Sequence, residues 1–104
     1  MSAKGYLIVE VKVTDQEAYA RYKNLAAAAI EHYGGRYLIR GGAAEVLEGP
    51  WQAPERLVVV EFGSVEQAKA FYDSPEYRAA RAERAGAASM NMLVVQGHQQ
   101  HFPG

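Results

Sequence analysis

A chain of 104 residues with 49% hydrophobic and 22% charged residues is ordinary globular sequence for one domain, which excludes disorder, fibrous repeats and a second folded unit. Its 11 Lys+Arg against 12 Asp+Glu give a net charge of −1 with no block of like charge, so no basic face is offered to nucleic acid. With no cysteine, disulfide scaffolds, thiolate metal sites and cysteine nucleophiles are excluded; no apolar run suits a signal peptide or a bilayer span, so the cytoplasm is the expected setting, with no membrane partner.

Tyr6–Val13 is rich in β-branched residues and reads as the first strand, with a wholly apolar face of Leu7, Val9, Val11 and Val13. Tyr6, Ile8, Glu10 and Lys12 form its other, mixed face. Thr14-Asp-Gln-Glu17 matches a capping box and opens a helix near Asp15. Tyr19, Tyr22, Ala26, Ala29, Ile30 and Tyr33 give that helix one buried stripe, and Gly34-Gly35 ends it.

Arg36–Arg40 reads as a second strand, Gly41-Gly42 as a bulge, and Ala43–Glu48 as the strand's continuation before the Gly49-Pro50 turn. A third strand follows over Arg56–Phe62. Ser64-Val-Glu-Gln67 is a second capping box; it starts a helix that buries Val65, Ala68, Phe71 and Tyr72 and leaves Gln67 on a solvated face. Asp73-Ser-Pro-Glu76 stops this helix and starts another from Pro75 to about Ala85, where Arg78, Arg81 and Arg84 alternate with Glu76 and Glu83 on a solvated face. Met90–Gln96 is a fourth strand, and the polar segment 99–104 reads as a tail beyond a single domain over residues 1–98.

This order predicts an α+β fold, a ferredoxin-like βαββαβ sandwich with an antiparallel sheet and its helices on one face. The other face would expose Tyr6, Ile8, Leu57 and Val59, an apolar patch that a second copy would cover in a two-fold homodimer, a dimeric α/β barrel.

Gly34-Gly-Arg-Tyr-Leu-Ile-Arg-Gly-Gly42, Leu47-Glu-Gly-Pro-Trp51, Val60-Glu-Phe62 and Phe71-Tyr-Asp-Ser-Pro-Glu-Tyr77 together resemble the family catalogued as domain of unknown function thirteen-thirty, from about Tyr6 to Gly97. The resemblance implies the dimeric α/β-barrel superfamily but no reaction. The wider superfamily includes cofactor-free monooxygenases, lactone isomerases, haem-dependent enzymes and stress-response or ligand-binding proteins, and fold alone does not choose among them.

Strand parity puts Glu10 and Glu61 on the open face, and Arg40 joins them if Tyr37 and Ile39 face the helices. Two carboxylates and a guanidinium in an apolar-lined site suit proton transfer on a small carbonyl compound, one carboxylate acting as base and Arg40 holding the developing charge. The same three groups also suit a structural ion pair that fixes dimer register. Tyr6, Trp51, Tyr72 and Tyr77 are candidates for walling a flat ligand, against the plainer reading of a hydrophobic plug beneath a long loop. His98 and His101 lie in a polar terminal segment without an acidic partner, His32 suits a helix C-terminus, and no serine lies in a nucleophile-elbow context. Neither a metal nor a cofactor is expected, haem included, and the competing reading is a non-catalytic homodimeric binding or interaction module.

Overall fold

The computed structural model describes residues 3–98, so the tail over 99–104 and His101 lie outside the described residues. The elements are β1 (Gly5–Val13), α1 (Gln16–His32), β2 (Arg36–Gly42), β3 (Arg56–Phe62), α2 (Val65–Tyr72), α3 (Pro75–Glu83) and β4 (Ala88–Gln96). All strand pairings are antiparallel, in the order β2-β3-β1-β4. The alternation read in β1 is realised: Leu7, Val9 and Val11 are buried while Tyr6, Ile8 and Glu10 are half-buried on the opposite face.

The layer between sheet and helices is aromatic. Phe62, Phe71 and Tyr77 are each 1% exposed and pack in series with tilted rings, the centroids 5.3 Å apart for Phe62 and Phe71 and 4.7 Å for Phe71 and Tyr77. Tyr22 extends the series from α1, its hydroxyl 2.9 Å from that of Tyr77. Burial raises the Tyr22 phenol pKa far above the ordinary 10.0, with Tyr77 adding to the shift and Arg84 opposing it. A phenol that stays protonated in the folded chain but ionises in the unfolded one makes stability fall as pH rises. Full stability is expected below pH 10 and a progressive loss above it, and Tyr22→Phe should flatten that alkaline limb in urea titrations between pH 9 and 11.

Local signals decide the helix starts. Thr14 and Asp15 both donate backbone N–H groups to the Ala87 carbonyl, at 2.8 and 3.0 Å, and this holds Asp15 extended at the helix entrance. The cap is therefore Asp15, which accepts from Ala18 N, and not Thr14, whose hydroxyl donates to the Gly86 carbonyl. The same anchoring begins β4 at Ala88, opposite Val13, two residues before the expected start. Ser64 caps α2 as read, but Gln67 does not close the box: its side-chain amide donates to the Tyr33 carbonyl at 2.6 Å, so Gln67 is half-buried, not solvated. Ser74, 4% exposed, accepts from Tyr77 N and donates to the Phe71 carbonyl, joining α2 to α3 across Pro75.

β2 departs from expectation. It ends at Gly42, and Ala43–Glu48 is not strand. Gly42 pairs with Leu57, leaving only Arg56 of β3 beyond it, so an extension would have no ladder to join. The pairing also steps from Tyr37↔Val60 to Ile39↔Val59, which makes Leu38 an extra residue, and again between Arg40 and Gly42 around Gly41, whose φ is +79°.

Candidate functional site

The register resolves the uncovered face into rows. Ile39, Val59, Ile8 and Leu93 are successive cross-strand partners over all four strands, an apolar row in which Ile39 is 39% and Leu93 56% exposed. On one side lies Arg36, Glu61, Tyr6 and Val95; on the other lie Gly42, Leu57, Glu10 and Asn91, and beyond these Lys12 and Ser89.

Glu10 and Glu61 both occupy this face, as parity predicts, but they do not meet. Glu61 pairs with Tyr6 and Glu10 with Leu57, so the carboxylates are four strand positions, roughly 13 Å, apart. Both oxygens of Glu61 are engaged: Arg36 Nε donates to one at 2.9 Å and the Tyr6 hydroxyl to the other at 3.2 Å. Desolvation and the Glu61 carboxylate raise the Tyr6 phenol pKa, with Arg36 opposing. Glu10 accepts from the Asn91 amide at 2.7 Å through one oxygen.

Arg40 is on the other side of the sheet. The extra residue at Leu38 reverses the strand's parity, so Ile39 turns to the open face and Arg40, opposite Val58, to the helix face, with its guanidinium 4.4 Å from the centre of the Tyr37 ring. The expected grouping of Glu10, Arg40 and Glu61 therefore does not form in this chain. Arg36, which nothing but its position after Gly34-Gly35 distinguishes in sequence, stands beside Glu61 instead.

The four aromatic candidates also separate. Trp51 projects from the loop before β3, 76% exposed, and with Glu10, Lys12, Glu55, Ser89 and Asn91 borders an open cleft of about 530 Å³ at the end of the open face. Tyr6 lies two rows away against Glu61. Tyr77 is core. Tyr72 sits at the helix-side margin near β4, 36% exposed, with the Arg81 guanidinium 4.6 Å from its ring centre. Among the described residues no group of three or more His, Asp or Glu is arranged to hold a metal.

A second cavity lies between α1 and the sheet. It measures about 40 Å³ and is bordered by Tyr19 and Lys23 of α1, Tyr37 and Arg40 of β2, and Arg56 and Val58 of β3. Burial raises the Tyr37 phenol pKa, with Arg40 acting against it. Sequence periodicity marks Tyr19 as core but carries no sign that the three cations converge there.

An antiparallel β2-β3-β1-β4 sheet with all three helices on one face defines a ferredoxin-like α+β protein. The chain belongs to the family described as Domain of unknown function (DUF1330), which matches residues 4–98. No curated protein matches it in sequence. Among solved structures it is similar to a protein of unknown function from Rhodopseudomonas palustris, at 21% identity and TM-score 0.73 over 96% of this chain and 86% of that one. It is also similar to a dimeric ferredoxin-like protein of unknown function from a Jannaschia species, at 12% identity and TM-score 0.59 over 88% of this chain and 97% of that one. A third similar structure is a protein of Nitrosomonas europaea described as a candidate antibiotic biosynthesis monooxygenase, at 17% identity and TM-score 0.57 over 93% and 92% of the two chains. At such identities the likeness is one of fold. Among the described residues no helix is long and apolar enough to cross a membrane.

Proposed function

We propose that this protein is a homodimer, paired through its open sheet face, that binds a small molecule in the cleft between Glu10 and the Trp51 loop. The observation that carries this reading is that one uncovered face holds both the apolar row Ile39, Val59, Ile8, Leu93 and, at its end, the cleft. A second copy covering the row would roof the cleft and exclude water from it. The dimeric description of a structural relative is in keeping with this arrangement.

The chemistry that fits the cleft is proton abstraction from a small carbonyl compound. Asn91 holds one oxygen of Glu10, leaving the other for a proton, and Lys12, on the same side of β1, takes the cationic role expected of Arg40. Glu61, with both oxygens engaged, serves register. That engagement, and the absence of Arg40 from the face, also favour the second reading: binding without turnover.

Sedimentation velocity at micromolar concentration is expected to show a species of twice the 11.4 kDa chain mass. Leu93→Asp should convert it to a folded monomer. Each subunit loses about 2 kcal/mol of apolar burial, so the dimer loses about 4 kcal/mol, a roughly thousandfold rise in Kd. Ile8→Asp should also break the dimer, whereas Val59→Asp, at a position only 9% exposed within one chain, should damage the fold as well. The exposed Arg78→Asp is the neutral control that half-buried Gln67 cannot be. A native protein that sediments as a compact monomer overturns the reading. For the chemistry, deuterium uptake by 2,4-pentanedione in D2O should be accelerated by the native protein and lose 10²–10⁴-fold in Glu10→Gln. Stabilisation by the diketone that is lost in Trp51→Ala, without acceleration, selects binding alone; neither effect removes the cleft from the proposal.

A further inference from the structure

Two irregularities in β2 have a joint effect on the helix side of the sheet. The extra residue at Leu38 turns Arg40 toward α1, and Gly41, at φ +79°, leaves the space that the Arg56 guanidinium fills: a Cβ on residue 41 would meet Arg56 Nη2 and lie 2.9 Å from its Cζ. Lys23 comes from the other wall, its Nζ 5.9 Å from the centre of the Tyr19 ring, with Arg56 Cζ 5.7 Å from the same ring. Three cations thus border the 40 Å³ cavity between α1 and the β2–β3 edge.

Among the described residues no carboxylate pairs with them within 4.0 Å. The ion pairs among the described residues are Arg21 with Glu83 and Arg36 with Glu61, and Glu55, which shares a groove with Lys23 and Arg56, pairs with neither within 4.0 Å. Arg56 Nε is buried without a hydrogen-bond partner, and a buried guanidinium N–H left unmade is costly. The remaining walls are apolar, with the rings of Tyr19 and Tyr37, Val58 and Met90 among them. Unpaired cations around an apolar slot match a ligand with an anionic end and a planar body.

We propose that this wedge binds a small flat monocarboxylate, with Arg40, Arg56 and Lys23 taking the carboxylate and Tyr19, Tyr37 and Val58 taking the apolar body. As it stands the cavity has room for about three water molecules, so the body enters as the exposed Arg40 and half-exposed Lys23 side chains swing onto the anion. The site is separate from the Trp51 cleft and lies on the opposite face of the sheet.

Benzoate and its neutral isostere benzamide test this on the full chain, by NMR titration of amide and side-chain resonances at 150 mM salt. Benzoate is expected to saturate, with the largest shifts at Tyr19, Tyr37, Arg40 and Arg56, and to bind at least fivefold more tightly than benzamide. Arg40→Gln, an exposed position whose change leaves the core intact, should weaken benzoate at least fivefold; Arg56→Gln should weaken it further if the variant folds. Arg78→Gln, which removes the same charge from an exposed face of α3, should leave binding unaltered. Shifts that do not saturate, that centre on Trp51 and Glu10, that are equal for benzoate and benzamide, or that survive Arg40→Gln overturn the proposal, whatever the outcome for the open face.

Discussion

Phe71→Ala is expected to destabilise the protein by about 3–5 kcal/mol, the range for deleting a buried aromatic side chain. The ring is 1% exposed and sits at the meeting point of Phe62, Tyr77 and Tyr33, with centroids at 5.3, 4.7 and 6.5 Å. Its neighbours are held on different elements, β3, α3 and the end of α1, so they cannot all close on the vacancy. In a domain this small each kcal/mol moves the melting temperature by about 4–8 °C, so a fall on the order of 20 °C should follow. Leu25→Ala, at 43% exposure on α1, should cost under about 1 kcal/mol. Urea denaturation followed by circular dichroism, at matched protein concentration so that association contributes equally, measures both. A Phe71→Ala loss no larger than that of Leu25→Ala would show that this aromatic layer is not the core.

Gly5→Ala is expected to cost about 3 kcal/mol, far more than one methyl group suggests. A Cβ at residue 5 would meet the Ser64 carbonyl and lie 2.6 Å from Val65 N, both backbone atoms at the start of α2. Neither can swing aside as a side chain can, so the strand or the helix must move, and moving the helix start disturbs the Ser64 cap on Gln67 N. Gly49→Ala offers the contrast. Nothing lies within 4 Å of its Cβ, but its φ of +88° makes alanine strained, at about 1–2 kcal/mol. Thermal melts of the two variants should therefore differ by about 5–15 °C in midpoint, with Gly5→Ala the lower; equal midpoints would mean that α2 can retreat from β1 at little cost.

Much of this fold is legible in the sequence because its signals are local. The period of two in β1 and β3 assigns their faces, Ser64 and the Asp73-Ser74-Pro75 run announce their helices, and the helical spacing from Tyr19 to Ile30 marks the stripe that α1 buries. The site is less legible because it depends on long-range register. Parity puts Glu10 and Glu61 on one face correctly but says nothing of their separation along it, which the pairing of Tyr6 with Glu61 decides. Arg40 fails for a different reason. Gly41-Gly42 advertises a bulge, but the one at Leu38 occurs at an ordinary β-forming residue without any compositional mark, and one uncounted residue exchanges the faces of all that follow. Gln67 shows a further limit: the pattern of a capping box identifies the helix start, yet the Tyr33 carbonyl, brought near only by the tertiary fold, claims the side chain.

The interruptions in β2 also bear on how far the sheet can grow. β2 and β4 are its two margins, and an outer strand with a regular row of free backbone groups is a template for strand addition by another molecule. The extra residues at Leu38 and around Gly41 break that row and twist β2, whereas β4 pairs with β1 without interruption from Ala88 to Gln96. Among the described residues β4 is therefore the more regular margin for edge-to-edge addition. Two chains joined through β4 would each present an interrupted β2 margin outward, which favours a closed pair over growth into a fibril.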